Sequence, residues 1–304
     1  MRMLPFALLF VVSPARAWEP VAHKAAAIIA RHRLNPAARA AVHELLGENE
    51  SGRALELEDV AGCADGFAHD AGFRCAGAFK LEGEPAASVP WHFVNIPLAV
   101  KDPHITDYCP SKSGCISSQI DAEIATLRNR SASRQARQTA LTLLVHLFAD
   151  AHQPLHCADD GDFGGNKKSV DVELKGQKLN LHKIWDEAMM RPSEVDWRLP
   201  PAALAEKAQS FAADLESDLR RLDKDTIAQW LRGDLTSGSV LESWRIAREQ
   251  IYPQYARDHG AIANAGRDDI GEAYRKKMQP IARRRIQMAG VRLAEILNQA
   301  LSKS

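Results

Sequence analysis

Charge of one sign is missing from this chain. Its 304 residues carry Lys+Arg 39 against Asp+Glu 39, a formal net charge of zero. That excludes a protein that grips nucleic acid by bulk polycation electrostatics. A bound metal cluster would still add local positive charge that the sum does not include. Aromatic residues are scarce at 6%. Long apolar runs are absent. Leu4 to Val12 is interrupted by Pro5 and falls far short of the roughly 20 residues that a membrane span needs. There is no internal repeat, no low-complexity tract and no linker-like segment, so the chain reads as one domain. Hydrophobic residues at 45% and charged residues at 26% argue against disorder, collagen and a coiled-coil rod.

Residues 1–17 read as a secretory signal: Arg2, a short apolar run, and Ala15-Arg16-Ala17 as an A-x-A cleavage site. Cleavage there makes Trp18 the first residue of a domain spanning 18–304, in a secreted or periplasmic protein. An oxidising compartment lets cysteines pair. Of the five, Cys63 with Cys75 and Cys109 with Cys115 suggest two short loops, although sequence alone does not fix connectivity. Cys157 is then left over and reads as a buried free thiol.

The fold class is all-α: a single helical domain with long loops and at most one small β-hairpin. Helices are expected over 20–33, 36–47, 53–64, 116–130, 133–152, 181–190, 200–222, 224–232, 236–257 and 267–302. Pro36 suits a first turn and Gly47 an end. Pro154 ends the helix before it, while Pro253 and Pro280 should kink or interrupt the last two. Residues 66–90, 98–114 and the Gly-rich 157–168 read as loops. Val170, Val172 and Leu174 alternate, and with Lys175-Gly176 and 177–179 they form the hairpin candidate.

Eleven histidines are a modest number, but their company is informative. His146 and Asp150 are spaced i, i+4 and share one helix face; His182 and Asp186 repeat the spacing. One such pair is an ordinary surface ion pair. Two within 41 residues, one of them amid Leu141, Leu143, Leu144, Val145, Leu147 and Phe148, imply buried polar groups that need partners, and a metal is one. Mixed nitrogen and oxygen ligands favour zinc. His156, just past Pro154, fits either group. His152 points to another helix face and reads as structural. His32, His43, His69, His104 and His259 lack supporting context, as do Asp59 and Asp70 beside Asp65.

In order along the chain stand Trp18 with His23, Cys63-Ala64-Asp65, Trp91-His92-Phe93, His146, Asp150, Gln153-Pro154-Leu155-His156, Gly164-Gly165-Asn166-Lys167, Asn180-Leu181-His182 and Trp185-Asp186. Together they resemble the S-one/P-one family of secreted zinc-dependent single-strand nucleases. The resemblance implies three zinc ions per chain. One would take Asp65, His92, His146 and Asp150. A second would take the Trp18 amino nitrogen and carbonyl oxygen, His23 and Asp150. A third would take His156, His182 and Asp186. A free amine at Trp18 requires the cleavage expected independently above.

The resemblance also implies an activity: an endonuclease and 3′-nucleotidase that hydrolyses single-stranded DNA and RNA to 5′-phosphorylated products through zinc-bound hydroxide, with Asp65 and Asp150 as catalytic residues. Substrate contacts would come from Phe93 stacking on a base, Asn95 and Asn166 bonding its edge, Gly165 allowing close approach, and Phe163 as a second wall. No stable membrane partner is implied, and neutral charge suits a monomer. Four positions depart from the common pattern: Ala22 stands where Gly is frequent, Cys63 where Trp is frequent, Ala68 where a basic residue is frequent, and Asn95 where some members have Asp. A zinc-dependent phospholipase C-like phosphodiesterase is the nearest alternative. It fits less well, because its last helical ligand is typically Glu rather than Asp186 and its first histidine lies farther from the N-terminal Trp. A non-enzymatic zinc-binding protein would use a closed site instead.

Overall fold

The computed structural model describes residues 18, 20–70, 72–174, 177–189, 200–263 and 272–302. The signal segment 1–17 expected from the sequence lies outside the described residues. Two helices form the structural centre. α1 (Pro20–Arg31) is Ala-rich, starts on a proline at its first turn, and buries nine residues including His23. α7 (Arg134–Asp150) starts at Ser133, whose side chain accepts from Ala136 N, and every residue from Gln138 to Asp150 is buried. A helix covered on all sides is a central one.

The others pack around them: α2 (Pro36–Leu46), α3 (Leu57–Val60), α4 (Cys63–His69), α5 (Pro85–Ser88), α6 (Ile116–Arg128), α8 (Leu181–Lys183), α9 (Pro201–Arg220), α10 (Lys224–Trp230), α11 (Leu235–Ile246), α12 (Tyr252–Ala263) and α13 (Glu272–Leu301). α1 packs against α13, α9 and α3; α7 packs against α6, α2 and α4. A two-stranded antiparallel hairpin, β1 (Ser169–Leu174) and β2 (Gln177–Asn180), is the one sheet among the described residues. The all-α reading holds. Cys63 is bonded to Cys75 and Cys109 to Cys115, and Cys157 is free and buried.

Several local expectations change. The helix expected over 53–64 is two short ones, α3 and α4, because the chain breaks at Ala61-Gly62. The loop expected over 66–90 contains the end of α4 and the turn α5, and a 3-10 turn, Val89–His92, follows it. The Trp91–Asn95 stretch, open to reading as a buried strand, is this 3-10 turn followed by extended backbone at Phe93. A wide π-turn, Ala247–Ile251, precedes Pro253 and lets the helical path continue into α12. Pro280 does not interrupt α13: it is exposed, so water can reach the carbonyl it leaves free, while Ala282, Ile286, Ala289, Val291 and Leu293 pack the helix into the core. Residues 267–271 of the expected last helix lie outside the described residues.

α1 and α13 approach closely. A Cβ on Gly290 would lie 2.5 Å from Ile29 Cγ2 and 2.7 Å from the Ala26 carbonyl. Gly290→Ala should raise helix propensity by ~1 kcal/mol, yet overpacking costs typically ~1–3 kcal/mol. We expect a net loss of stability and a lower midpoint in denaturant titration. A raised midpoint would mean that the helices part freely and that the tight packing is not limiting.

Candidate metal centre

Breaks in regular structure do the local positioning. The interruption at Ala61-Gly62 frees the Ala61 carbonyl, and His146 Nδ1 donates to it at 2.7 Å. The 3-10 turn ending at His92 presents that residue's carbonyl to His156 Nδ1 at 2.9 Å. Gly164, at φ +62, presents its carbonyl to His182 Nδ1 at 2.8 Å. A Cβ there would sit 2.3 Å from the Leu155 carbonyl, so only glycine lets this turn lie against the Pro154–His156 segment. In all three rings the backbone takes Nδ1 and leaves Nε2 to face the carboxylates, the arrangement by which an outer contact orients a ligand.

Those nitrogens meet carboxylates in three groups. His23, His146 and Asp150 form one; Asp65, His92 and His146 a second; His156, His182 and Asp186 a third, with ligand-type atoms inside each lying within 4.8 Å of one another. Asp150 stands between the first two. Its Oδ1 is 3.3 Å from His23 Nε2, while its Oδ2 is 3.1 Å from His92 Nδ1 and 3.2 Å from His146 Nε2. Asp65 Oδ1 is 3.6 Å from His146 Nε2 and 3.8 Å from His92 Nδ1. In the third group His182 Nε2 is 3.1 Å from Asp186 Oδ2, and His156 Nε2 is 3.6 Å from Asp186 Oδ1. The π-turn Ile184–Ala188 carries Asp186, and a π-turn inside a helix is frequent at functional positions. The Asp65 side chain, 33% exposed, is the opening of an otherwise closed cluster.

The unpartnered atoms of the centre fit metal ions. Both nitrogens of His23, Asp150 Oδ1, His156 Nε2 and His182 Nε2 are buried without a hydrogen bond. Buried polar atoms normally have partners; these five fall in the first and third groups, on nitrogen and oxygen donors suited to a borderline cation.

Charge follows the same geometry. Burial pushes the His146 and His156 rings down, but Asp150, with Asp65 or Asp186, outweighs it and holds both up to about 9. Burial would raise the two carboxyls, yet His146 and His156 hold Asp150 well below the usual range, and His182 and His156 bring Asp186 to about 2. Burial lowers His23, helped by the neighbouring His146. His156, open to either group by sequence, joins His182 and Asp186, with their rings stacked at 5.0 Å.

Trp18 is buried at 1% exposure, five positions before His23. Phe93 is half-buried and extended; its carbonyl accepts from Ile116 N, and the next amide, Val94 N, donates to the His156 carbonyl at 2.8 Å. Asn95 is half-buried. Asn166 donates through Nδ2 to the Phe163 carbonyl, and Gly165 N donates to Asp162 Oδ1. Phe163 is exposed.

His152 is structural, as expected: Nδ1 donates to the Phe148 carbonyl, and Nε2 faces Ser239 and Arg292. His32 and His43 pair with Glu216 and Glu56, Asp59 pairs with Arg53, and Asp70 accepts from Gly72 N, all outside the centre.

Sequence reasoning missed three supports. Gln153 Nε2 donates to Asp186 Oδ1 at 2.7 Å. Tyr252 Oη donates to Asp162 Oδ1 at 2.8 Å. Arg285, 1% exposed, donates to the carbonyls of His152 and Ser239 and pairs with Glu242. The one signal for the last was an arginine in a run of core-facing helix residues.

Metal ligands must be deprotonated. Below about pH 9 the metal-free His146 and His156 rings carry protons that an incoming cation must displace. Zinc uptake at pH 7 should therefore release about two protons from these rings, and affinity should rise with pH up to about 9. Calorimetry in buffers of different ionisation enthalpy measures this. An affinity flat with pH would contradict the protonation state argued here.

The family model described as S1/P1 Nuclease matches residues 18–302. Among curated relatives, Endonuclease 2 of Arabidopsis thaliana is 27% identical over 305 residues, covering 96% of this chain and 93% of the relative. Nuclease S1 of Aspergillus oryzae is 27% identical over 311 residues, covering 99% of each. Endonuclease 3 of Arabidopsis thaliana is 25% identical over 297 residues, covering 96% and 92%.

Proposed function

From the premise that the chain belongs to the S1/P1 nuclease family, and is thus a phosphodiester hydrolase acting on nucleic acid, we propose a single-strand-specific endonuclease and 3′-nucleotidase holding three zinc ions. The observation that carries this reading is the gathering of His and Asp nitrogen and oxygen atoms in three groups, two of which hold bare, buried atoms. Asp65, His92, His146 and Asp150 would hold one ion; the Trp18 amino nitrogen and carbonyl, His23 and Asp150 a second; His156, His182 and Asp186 a third. Bound zinc supplies Lewis-acid stabilisation of phosphoryl oxygens and lowers the pKa of water to about 7.

The chain's own residues do the rest. Asp150 offers one oxygen to each of the two adjoining groups, so a single carboxylate sets their spacing. Asp65, the most open carboxylate of the cluster, would orient the attacking water. Gln153 orients Asp186 from behind. Phe93 gives a base a stacking surface beside His156, a contact tolerant of every base. Asn95 and Asn166 would bond a base edge, Asn166 by exchanging the contact its Oδ1 accepts from Asn180 Nδ2. Gly165 is buried with Leu181 and His182 where a Cβ would lie, so its missing side chain serves the packing of the loop. A duplex hides its base faces, so single strands are favoured. Export through residues 1–17 and a monomeric state complete the reading. Two disulfides agree with an oxidising compartment, and no helix among the described residues is long and apolar enough to cross a membrane.

The test is cleavage of single-stranded DNA by protein beginning at Trp18, with and without chelator, reading the product ends. Chelator-sensitive release of 5′-phosphorylated products is expected. Asp150→Asn should cut the rate by more than about a hundredfold, the upper end of what losing a mere outer-shell partner costs, and should lower zinc content. Full activity with unchanged zinc in that variant would refute the assignment.

A further inference from the structure

Phe163 is anomalous in three respects. It is the one large hydrophobic residue that stands exposed among the described residues, at 58%. Its φ is +57°, a left-handed conformation that a bulky non-glycine residue rarely adopts. And the backbone that holds it there is pinned on both sides. Asp159 Oδ1 accepts from Phe163 N at 2.8 Å and from Asp162 N at 2.9 Å; the Phe163 carbonyl accepts from Asn166 Nδ2 at 2.8 Å and from Asn166 N at 3.3 Å. An unfavourable backbone kept in place by so many contacts is an arrangement found where a side chain must be presented.

The loop that presents it is coupled to the metal centre at both ends. Gly164, the next residue, gives its carbonyl to His182 Nδ1. Asp159 N donates to the Ile96 carbonyl at 2.9 Å and the Asp159 carbonyl accepts from Leu98 N at 3.0 Å, tying the loop to the strand-like segment that carries Phe93 and Asn95. Asp162, from the middle of the loop, is anchored to α12 by Tyr252. The ring therefore sits at the rim of the centre on a rigid mount, not on a loose loop tip.

Its surroundings indicate what it takes. Lys167 Nζ lies 4.1 Å from the ring centroid, over one face. Lys168, by contrast, is paired with Asp160 at 3.1 Å. With the ring still largely exposed beside that ammonium, an aromatic face and a cation stand together next to a phosphodiester-cleaving centre. This is the pairing that single-stranded nucleic acid uses: a base on the ring and a backbone phosphate on the cation.

We propose that Phe163 and Lys167 form a second base-and-phosphate subsite, which engages a nucleotide neighbouring the one seated on Phe93 and so favours polynucleotides over mononucleotides. The inference rests on the single-strand nuclease reading above. A 3′-mononucleotide has one base, which Phe93 takes; an oligonucleotide has a further base for Phe163 and a further phosphate for Lys167.

The experiment compares Phe163→Ala, Phe163→Trp and Lys167→Gln with the parent protein. It measures kcat/KM on a short single-stranded oligonucleotide and on a 3′-mononucleotide, and zinc per chain. For Phe163→Ala, the loss on the oligonucleotide should exceed the loss on the mononucleotide by about tenfold and appear mainly in KM, with zinc content retained; Phe163→Trp should restore it. Lys167→Gln should flatten the salt dependence of the oligonucleotide KM by about one phosphate contact. Equal losses on both substrates, no loss on either, or a loss that tracks falling zinc content would overturn the subsite and leave Phe163 a structural part of the loop. A parent protein that is fully zinc-loaded and cleaves neither substrate would instead overturn the nuclease reading beneath it.

Discussion

Asp150 is a carboxylate with no exposure to water, and one of its oxygens lacks any hydrogen bond. An ionised carboxylate so buried is costly unless positive charge faces it. Here His23, His92 and His146 surround it from three separate parts of the chain: α1, the turn after α5, and α7 one helical turn back. With protons on His146 and His156, the metal-free centre compensates the charge electrostatically. With cations it does so by coordination. Either way, the packing of α1, α4 and α7 around this group is inseparable from the charge at its centre.

The scaffold keeps these groups in register through its irregular parts. Carbonyls released by a helix break at Ala61, a 3-10 turn at His92 and a left-handed glycine at Gly164 each hold one imidazole by Nδ1. Behind α7, Arg285 and Arg292 share Glu242, which they hold at about 2, and burial with those two cations keeps His152 well below its ordinary value and uncharged. That brace fixes the end of α7 from which Gln153 reaches Asp186. Rigid supports of this kind fix the distances at a site built to orient reacting groups.

Much of this was legible in the sequence. Helix class, the two i, i+4 His/Asp pairs, the two short disulfide loops and the glycine-rich loop all follow from local spacing, because helices and tight turns are local structures. What was not legible depended on distance along the chain. Nothing near His146 announces that its partner is the Ala61 carbonyl, 85 residues earlier. Nothing near Pro280 shows that core packing outweighs its helix-breaking tendency. Local spacing left His156 open to either group, since Pro154 leaves the chain direction undetermined; its grouping with His182 and Asp186 came from the family resemblance. The exposed ring of Phe163 was named as a wall by its neighbourhood, but its strained, pinned backbone is a property of three dimensions alone.

We propose that these side chains hold three zinc ions, two of them adjoining at Asp150. The most direct test is a crystal of zinc-loaded protein beginning at Trp18, with anomalous scattering recorded across the zinc absorption edge. Three peaks are predicted, two flanking Asp150 and one among His156, His182 and Asp186, with the Trp18 amino group in contact with one of the first pair. A single peak, or peaks elsewhere on the chain, would contradict that assignment.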